Sequence, residues 1–197
     1  MSSIVTSGAR TIGRRQTATH GWIIVALGVV AMLARSRLAA LPPTGRVVAL
    51  AAIAGSILLA SLLVPVPRDR VAARLSSWLG LAIGLVAVGL ATIASGPPVP
   101  LPFVAWAIPL SILAAVAEEA LFRRVAYGWL RRWGVLVAVV GSASLFALIH
   151  VPLYGIAVLP VDLGAGLLFS WQRWATGTWT TPAATHAAAN VLATVLR

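Results

Sequence analysis

The sequence predicts an all-α fold, a polytopic membrane bundle of about seven transmembrane helices. Three observations carry that prediction. The 197 residues are 60% hydrophobic and only 10% charged, with a mean hydropathy of +0.97; a soluble domain is nearer half apolar and a quarter charged. Apolar runs recur along the chain, separated by short stretches containing Arg, Pro and Gly. All 15 basic residues are Arg, and they flank the apolar runs. The net charge of +11 would suit nucleic acid in a soluble protein. Here no run of aromatics interleaves with the arginines, so they read as charges that orient helices in a bilayer. No nucleic-acid partner is expected. The absence of Cys excludes disulfides, thiolate metal sites and a Cys nucleophile.

Residues 1–20 are polar and basic and read as a tail. The first apolar run, 21–34, ends at Arg35 and Arg37. A span needs about 20 residues of helix, so this run crosses only if those arginines snorkel to the interface. It follows a basic stretch, as in a signal peptide, but Arg35 and Arg37 stand where a small-residue cleavage site belongs. An uncleaved first span is expected. Runs 47–66, 77–95 and 103–121 reach span length readily. Runs 135–150, 156–170 and 180–196 are short, and two of them contain polar residues. Pro97, Pro98, Pro100 and Pro102 break the chain between the third and fourth runs. This gives a division into a tail (1–20), a first set of helices (21–102) and a second set (103–197).

The arginines also predict orientation, because cytoplasmic loops are enriched in them. Arg10, Arg14 and Arg15 place the N-terminus in the cytoplasm. Inside loops then carry Arg68, Arg70 and Arg74, next Arg124, Arg131 and Arg132, and next Arg173. The outside loops GPPVPLP (96–102) and VPLYG (151–155) are uncharged. One loop violates the pattern, the first outside loop with Arg35, Arg37 and Arg46. The C-terminus is expected outside.

Only four residues are acidic: Asp69, Glu118, Glu119 and Asp162. All but Asp69 follow the proline break, as do His150, His186 and Asn190. An ionisable group at bilayer depth is costly and marks a functional site by default. In AEEALFRR (117–124), Glu119 and Arg123 are spaced i, i+4 in the favoured acid-first order, so they are expected to pair. Glu118 lies about 100° round the helix and is expected to face elsewhere, unpaired. An unpaired carboxylate in an apolar cleft suits a general base or acid. The plainer alternative is two glutamates solvated at the headgroup level beside anchoring arginines. In FALIH (146–150), Phe146 and His150 share one helix face; alone, such a His is more often interfacial than catalytic. In HAAAN (186–190), His186 and Asn190 share a face, and the alanines between them let a neighbouring helix approach. Two donors on one face suit a developing oxyanion, though polar residues also join helices by hydrogen bonds. Taken together, the three sets form a buried polar cluster if their helices bundle, and such a cluster must be satisfied or wet.

EEALFR (118–123), FALIH and HAAAN resemble, in this order, the E-E-x-x-x-R, F-x-x-x-H and H-x-x-x-N signatures of the CAAX-prenyl-protease and bacteriocin-processing (CPBP or Abi) family of intramembrane endopeptidases. The Gly-containing helix between the second and third is similar too. The resemblance covers about 103–197, which would make that region the catalytic membrane domain and 21–102 accessory helices. It implies a water-accessible site in a helical bundle. Glu118 would activate water with help from His150. His186 and Asn190 would form the oxyanion hole, while Glu119 and Arg123 organise the motif helix, with Phe146 in support. The substrate would be a peptide or lipidated protein at the membrane. Some family members are described as metal-dependent. There is no H-E-x-x-H motif here, but Glu118, His150 and His186 form a two-His, one-Glu set that zinc accepts in principle. The expected mechanism is the glutamate one, with no cofactor. Arg124 stands where the family usually has Gly, which bears on local helix packing. Strict alternation of spans would also put Glu118 and His150 at opposite ends of their helices. They meet if RRVAYGWLRRWG (123–134) continues the fourth helix. Readings from other classes are a proton-coupled transporter, whose paired halves are not evident here, and a catalytically silent scaffold or immunity protein.

Overall fold

The computed structural model describes residues 22–66, 73–94 and 106–196. The tail, the Pro97–Pro102 break, and Arg10, Arg14, Arg15, Arg68, Asp69 and Arg70 lie outside the described residues, and the predicted orientation rests largely on these. Among the described residues all regular structure is helical. The helices are α1 (Trp22–Ala34), α2 (Pro43–Leu63), α3 (Ser77–Ala94), α4 (Ala107–Glu119), α5 (Tyr127–Leu130), α6 (Val135–Tyr154), α7 (Leu159–Thr176) and α8 (Thr180–Val195). Three of them, α2, α3 and α6, are long and apolar enough to cross a membrane.

Large apolar side chains point outward along these helices: Leu59 and Leu63 on α2, Val86 and Leu90 on α3, and Leu136 on α6 are exposed. That is the pattern lipid selects, since hydrocarbon makes no demand for a polar exterior. The buried core runs through α1, α2, α4 and the helical turn that follows it, α6 and α7, joining Val25, Met32, Ile57, Ala117, Leu121, Phe122, Phe146 and Phe169. Polar pairs fasten helices where the interior is not apolar. The buried Gln172 of α7 donates from Nε2 to the Gly80 carbonyl of α3 and to Thr185 Oγ1 of α8, both at 2.8 Å. Ser142 of α6 and Ser170 of α7 meet at 2.9 Å. At Gly166 a Cβ would lie 2.9 Å from the Ala143 carbonyl oxygen, so glycine sets how closely α7 lies against α6.

Several elements differ from the sequence-based expectations. Among the described residues, the fourth run is α-helical from Ala107 to Glu119. It does not stop there; it passes into a π-helical segment, Ala120–Ala126, and then into α5. The Tyr127 N–H bonds the Phe122 carbonyl, five residues back. The predicted continuation past Arg123 is therefore present, and Glu118 lies within a longer helical rod. The fifth run, expected to be short, is a 20-residue helix. VPLYG is not a loop: the helix runs through Pro152 to Tyr154 and ends at Gly155, whose φ of +84° suits glycine. Arg173, assigned above to an inside loop, is buried in α7, where its Nε donates to the Arg123 carbonyl at 3.2 Å. The wider π turn disturbs the ordinary i, i+4 ladder, and Arg173 supplies that carbonyl with a donor. The first run forms 13 α-helical residues, about 20 Å at the standard rise, followed by a 3₁₀ segment, Arg35–Ala40.

Candidate active site

The site forms where α4, α6 and α8 meet under α7. Glu118 and Glu119 are the last two residues of α4, with 4% and 0% exposure. Adjacent residues on a helix diverge, and these two carboxylates serve different neighbours. Glu119 Oε1 accepts from Arg123 Nη1 at 3.0 Å, and both side chains are fully buried. The other end of that guanidinium donates to the Gly166 carbonyl at 3.1 Å. The same Glu119 Oε1 lies 3.0 Å from His186 Nδ1 on α8. Asn190, one turn further along α8, donates from Nδ2 to the Ser111 carbonyl of α4 at 3.2 Å. The pairings 119–186 and 111–190 make α4 and α8 antiparallel neighbours.

The imidazoles are oriented by what their Nδ1 atoms touch. His150 Nδ1 lies 2.7 Å from the Phe146 carbonyl. A carbonyl only accepts, so Nδ1 carries the proton and Nε2 is left for other partners. His186 Nδ1, held on a carboxylate oxygen, likewise turns its Nε2 away from Glu119. Both Nε2 atoms face one oxygen, Glu118 Oε2, at 3.7 Å from His150 and 4.0 Å from His186. Phe146 lies among these groups. Its ring centroid is 4.6 Å from that of His150 and 5.6 Å from that of His186, and the Arg123 guanidinium sits 4.6 Å from it. Phe169 stacks on His186, with centroids 4.9 Å apart.

One expectation is corrected. Glu118 is not unpaired: Arg35 Nη1 donates to its Oε1 at 3.0 Å. Burying two adjacent carboxylates beside a single arginine would leave one negative charge uncompensated, and the chain brings in a second guanidinium from the end of α1. Sequence reasoning missed Arg35 at the site. The available signal was that its loop breaks the charge rule. It also missed Asp162, one of the four acids, whose Oδ2 lies 3.9 Å from His150 Nδ1. A cavity of about 180 Å³ opens beside Glu118, walled by Met32, Arg35, Ile57, Trp106, Leu110 and Ser111 among others. Arg124 is accounted for as well. Its Nη1 donates to the Ser61 carbonyl and, at 3.0 Å, to the Val64 carbonyl, capping the C-terminal end of α2. Among the described residues, no three His, Asp or Glu side chains are grouped so as to hold a metal ion.

Residues 100–192 match the family model described as type II CAAX prenyl endopeptidase Rce1-like. This region, just under half of the chain, is similar to the CAAX protease family. No curated protein and no solved structure matches the chain. The matched region holds Glu118, Glu119, Arg123, Phe146, His150, His186 and Asn190, whereas Arg35 and the α2 carbonyls capped by Arg124 lie outside it. That similarity, together with three helices long and apolar enough to cross a membrane, relates the chain to a family of membrane proteases.

Proposed function

We propose that the protein is an intramembrane endopeptidase that hydrolyses a peptide bond of a membrane-associated or lipidated protein with water activated by Glu118. The observation that carries this reading is the convergence of His150 Nε2 and His186 Nε2 on Glu118 Oε2 at 3.7 and 4.0 Å. Those separations are too long for direct hydrogen bonds and short enough for one water to bridge. Glu118 takes a proton from that water as its oxygen attacks the scissile carbonyl carbon. His150, oriented by the Phe146 carbonyl, assists, and the proton passes on to the leaving amine. The oxyanion of the tetrahedral intermediate accepts from His186 Nε2 when both ring nitrogens carry protons, with Nδ1 donating to Glu119. It also accepts from the amide hydrogen of Asn190 not used on Ser111. Every step is carried by these side chains, and none is routed through a metal.

The test is cleavage of a membrane-peptide library, including C-terminally prenylated peptides, by purified protein in detergent. The expected result is cleavage that survives a chelator and is lost in Glu118→Gln. Loss with chelator would move the assignment to zinc. No cleavage by a well-folded wild type would favour a silent scaffold that binds a partner.

A further inference from the structure

Resting on that reading, we infer that Arg35 is a positioning residue of the active site: the helices outside the matched region supply the guanidinium that aims Glu118. The sequence motif provides two carboxylates and one arginine. Arg123 is committed to Glu119 and to the Gly166 carbonyl at 3.0 and 3.1 Å, so it cannot also hold Glu118. Around Glu118 the ionisable groups are Glu119 and Arg123 on its own helical rod, His150 on α6, His186 on α8, Asp162 on α7 and Arg35 after α1. Of the two arginines in that set, only Arg35 bonds Glu118.

A glutamate side chain has three torsions, and burial alone does not choose between its two oxygens. The bond from Arg35 to Oε1 makes that choice, and it leaves Oε2 towards the two imidazoles. The geometry is available because Arg35 opens the 3₁₀ segment Arg35–Ala40, which packs against both α2 and α6. Its side chain keeps 22% exposure against 6% for that of Glu118. The guanidinium therefore retains contact with water while the carboxylate is fixed. Arg35 also lies on the wall of the cavity beside Glu118, so it stands where substrate would approach the attacked bond without itself touching the reacting atoms.

The experiment compares wild type, Arg35→Met and Arg35→Lys in detergent, measuring kcat, KM and thermal stability on one cleaved peptide. Misaiming a reacting group by about 1 Å costs on the order of 100-fold. The expected result is a fall in kcat of about 10- to 100-fold for Arg35→Met with KM little changed, and recovery of most of that loss in Arg35→Lys, which restores the charge. Packing alone would not give recovery by charge, nor a loss confined to kcat. If Arg35→Met does not fold, Arg35→Gln takes its place. Turnover in the neutral variant equal to or above wild type would overturn the inference, the latter marking Arg35 as an obstruction. A lysine variant as impaired as the methionine one would also overturn it. A wild type that cleaves nothing overturns the functional reading itself, a separate outcome from wild type and variants cleaving alike.

Discussion

Replacing Glu119 with Leu tests how the motif helix is held. Glu119 and Arg123 are both fully buried, and the carboxylate is the ionic partner of a guanidinium whose other bond goes to a backbone carbonyl. The substitution removes the acceptor for Arg123 Nη1 and for His186 Nδ1 at one stroke. Breaking a buried ion pair by deleting one partner costs about 3–5 kcal/mol, because the remaining charge is left uncompensated in a medium that cannot solvate it. For a chain of this length each kcal/mol moves the melting temperature by about 2–4 °C. Glu119→Leu should therefore melt roughly 6–20 °C below wild type in the same detergent. The companion variant Glu119→Leu/Arg123→Met removes both charges and should be less destabilised than the sum of the two single changes. A Glu119→Leu protein melting within about 2 °C of wild type would refute the reasoning. So would a double variant whose losses simply add, since both results mean that the pair is solvated.

Two further outcomes follow from contacts between helices. Arg124→Ala uncaps the Ser61 and Val64 carbonyls at the end of α2; since bonds to charged groups contribute about 1.5–3 kcal/mol each and this side chain is partly exposed, a loss of about 2 kcal/mol is expected. Differential scanning fluorimetry reads that loss, and limited proteolysis after α2 should quicken. Gln172→Leu removes the donor shared by Gly80 and Thr185 and should cost about 1–3 kcal/mol for the buried carbonyl left without it; hydrogen exchange should rise in α3 and α8, with no change at α4.

The sequence alone was enough for the class of fold, because a chain this apolar must satisfy its backbone within helices. It was also enough for the contacts that live within one helix. The i, i+4 spacing of Glu119 and Arg123 states their pairing directly, and three motifs on three apolar runs told which side chains were out of place in a membrane. What the spacing could not state was any contact between runs. A helix that is apolar all round carries no periodic signal for which face turns inward, so the burial of Arg173 against the π-helical segment and the grip of Arg124 on α2 were not legible. The same holds for Arg35 and Glu118, which are 83 positions apart. Arg35 read as a misplaced topological charge, while Glu118 read as an unpaired acid. Only the packing of the first helix against the motif helix joined the two, for the physical reason that two neighbouring carboxylates in a buried site require two cations and the motif contains one.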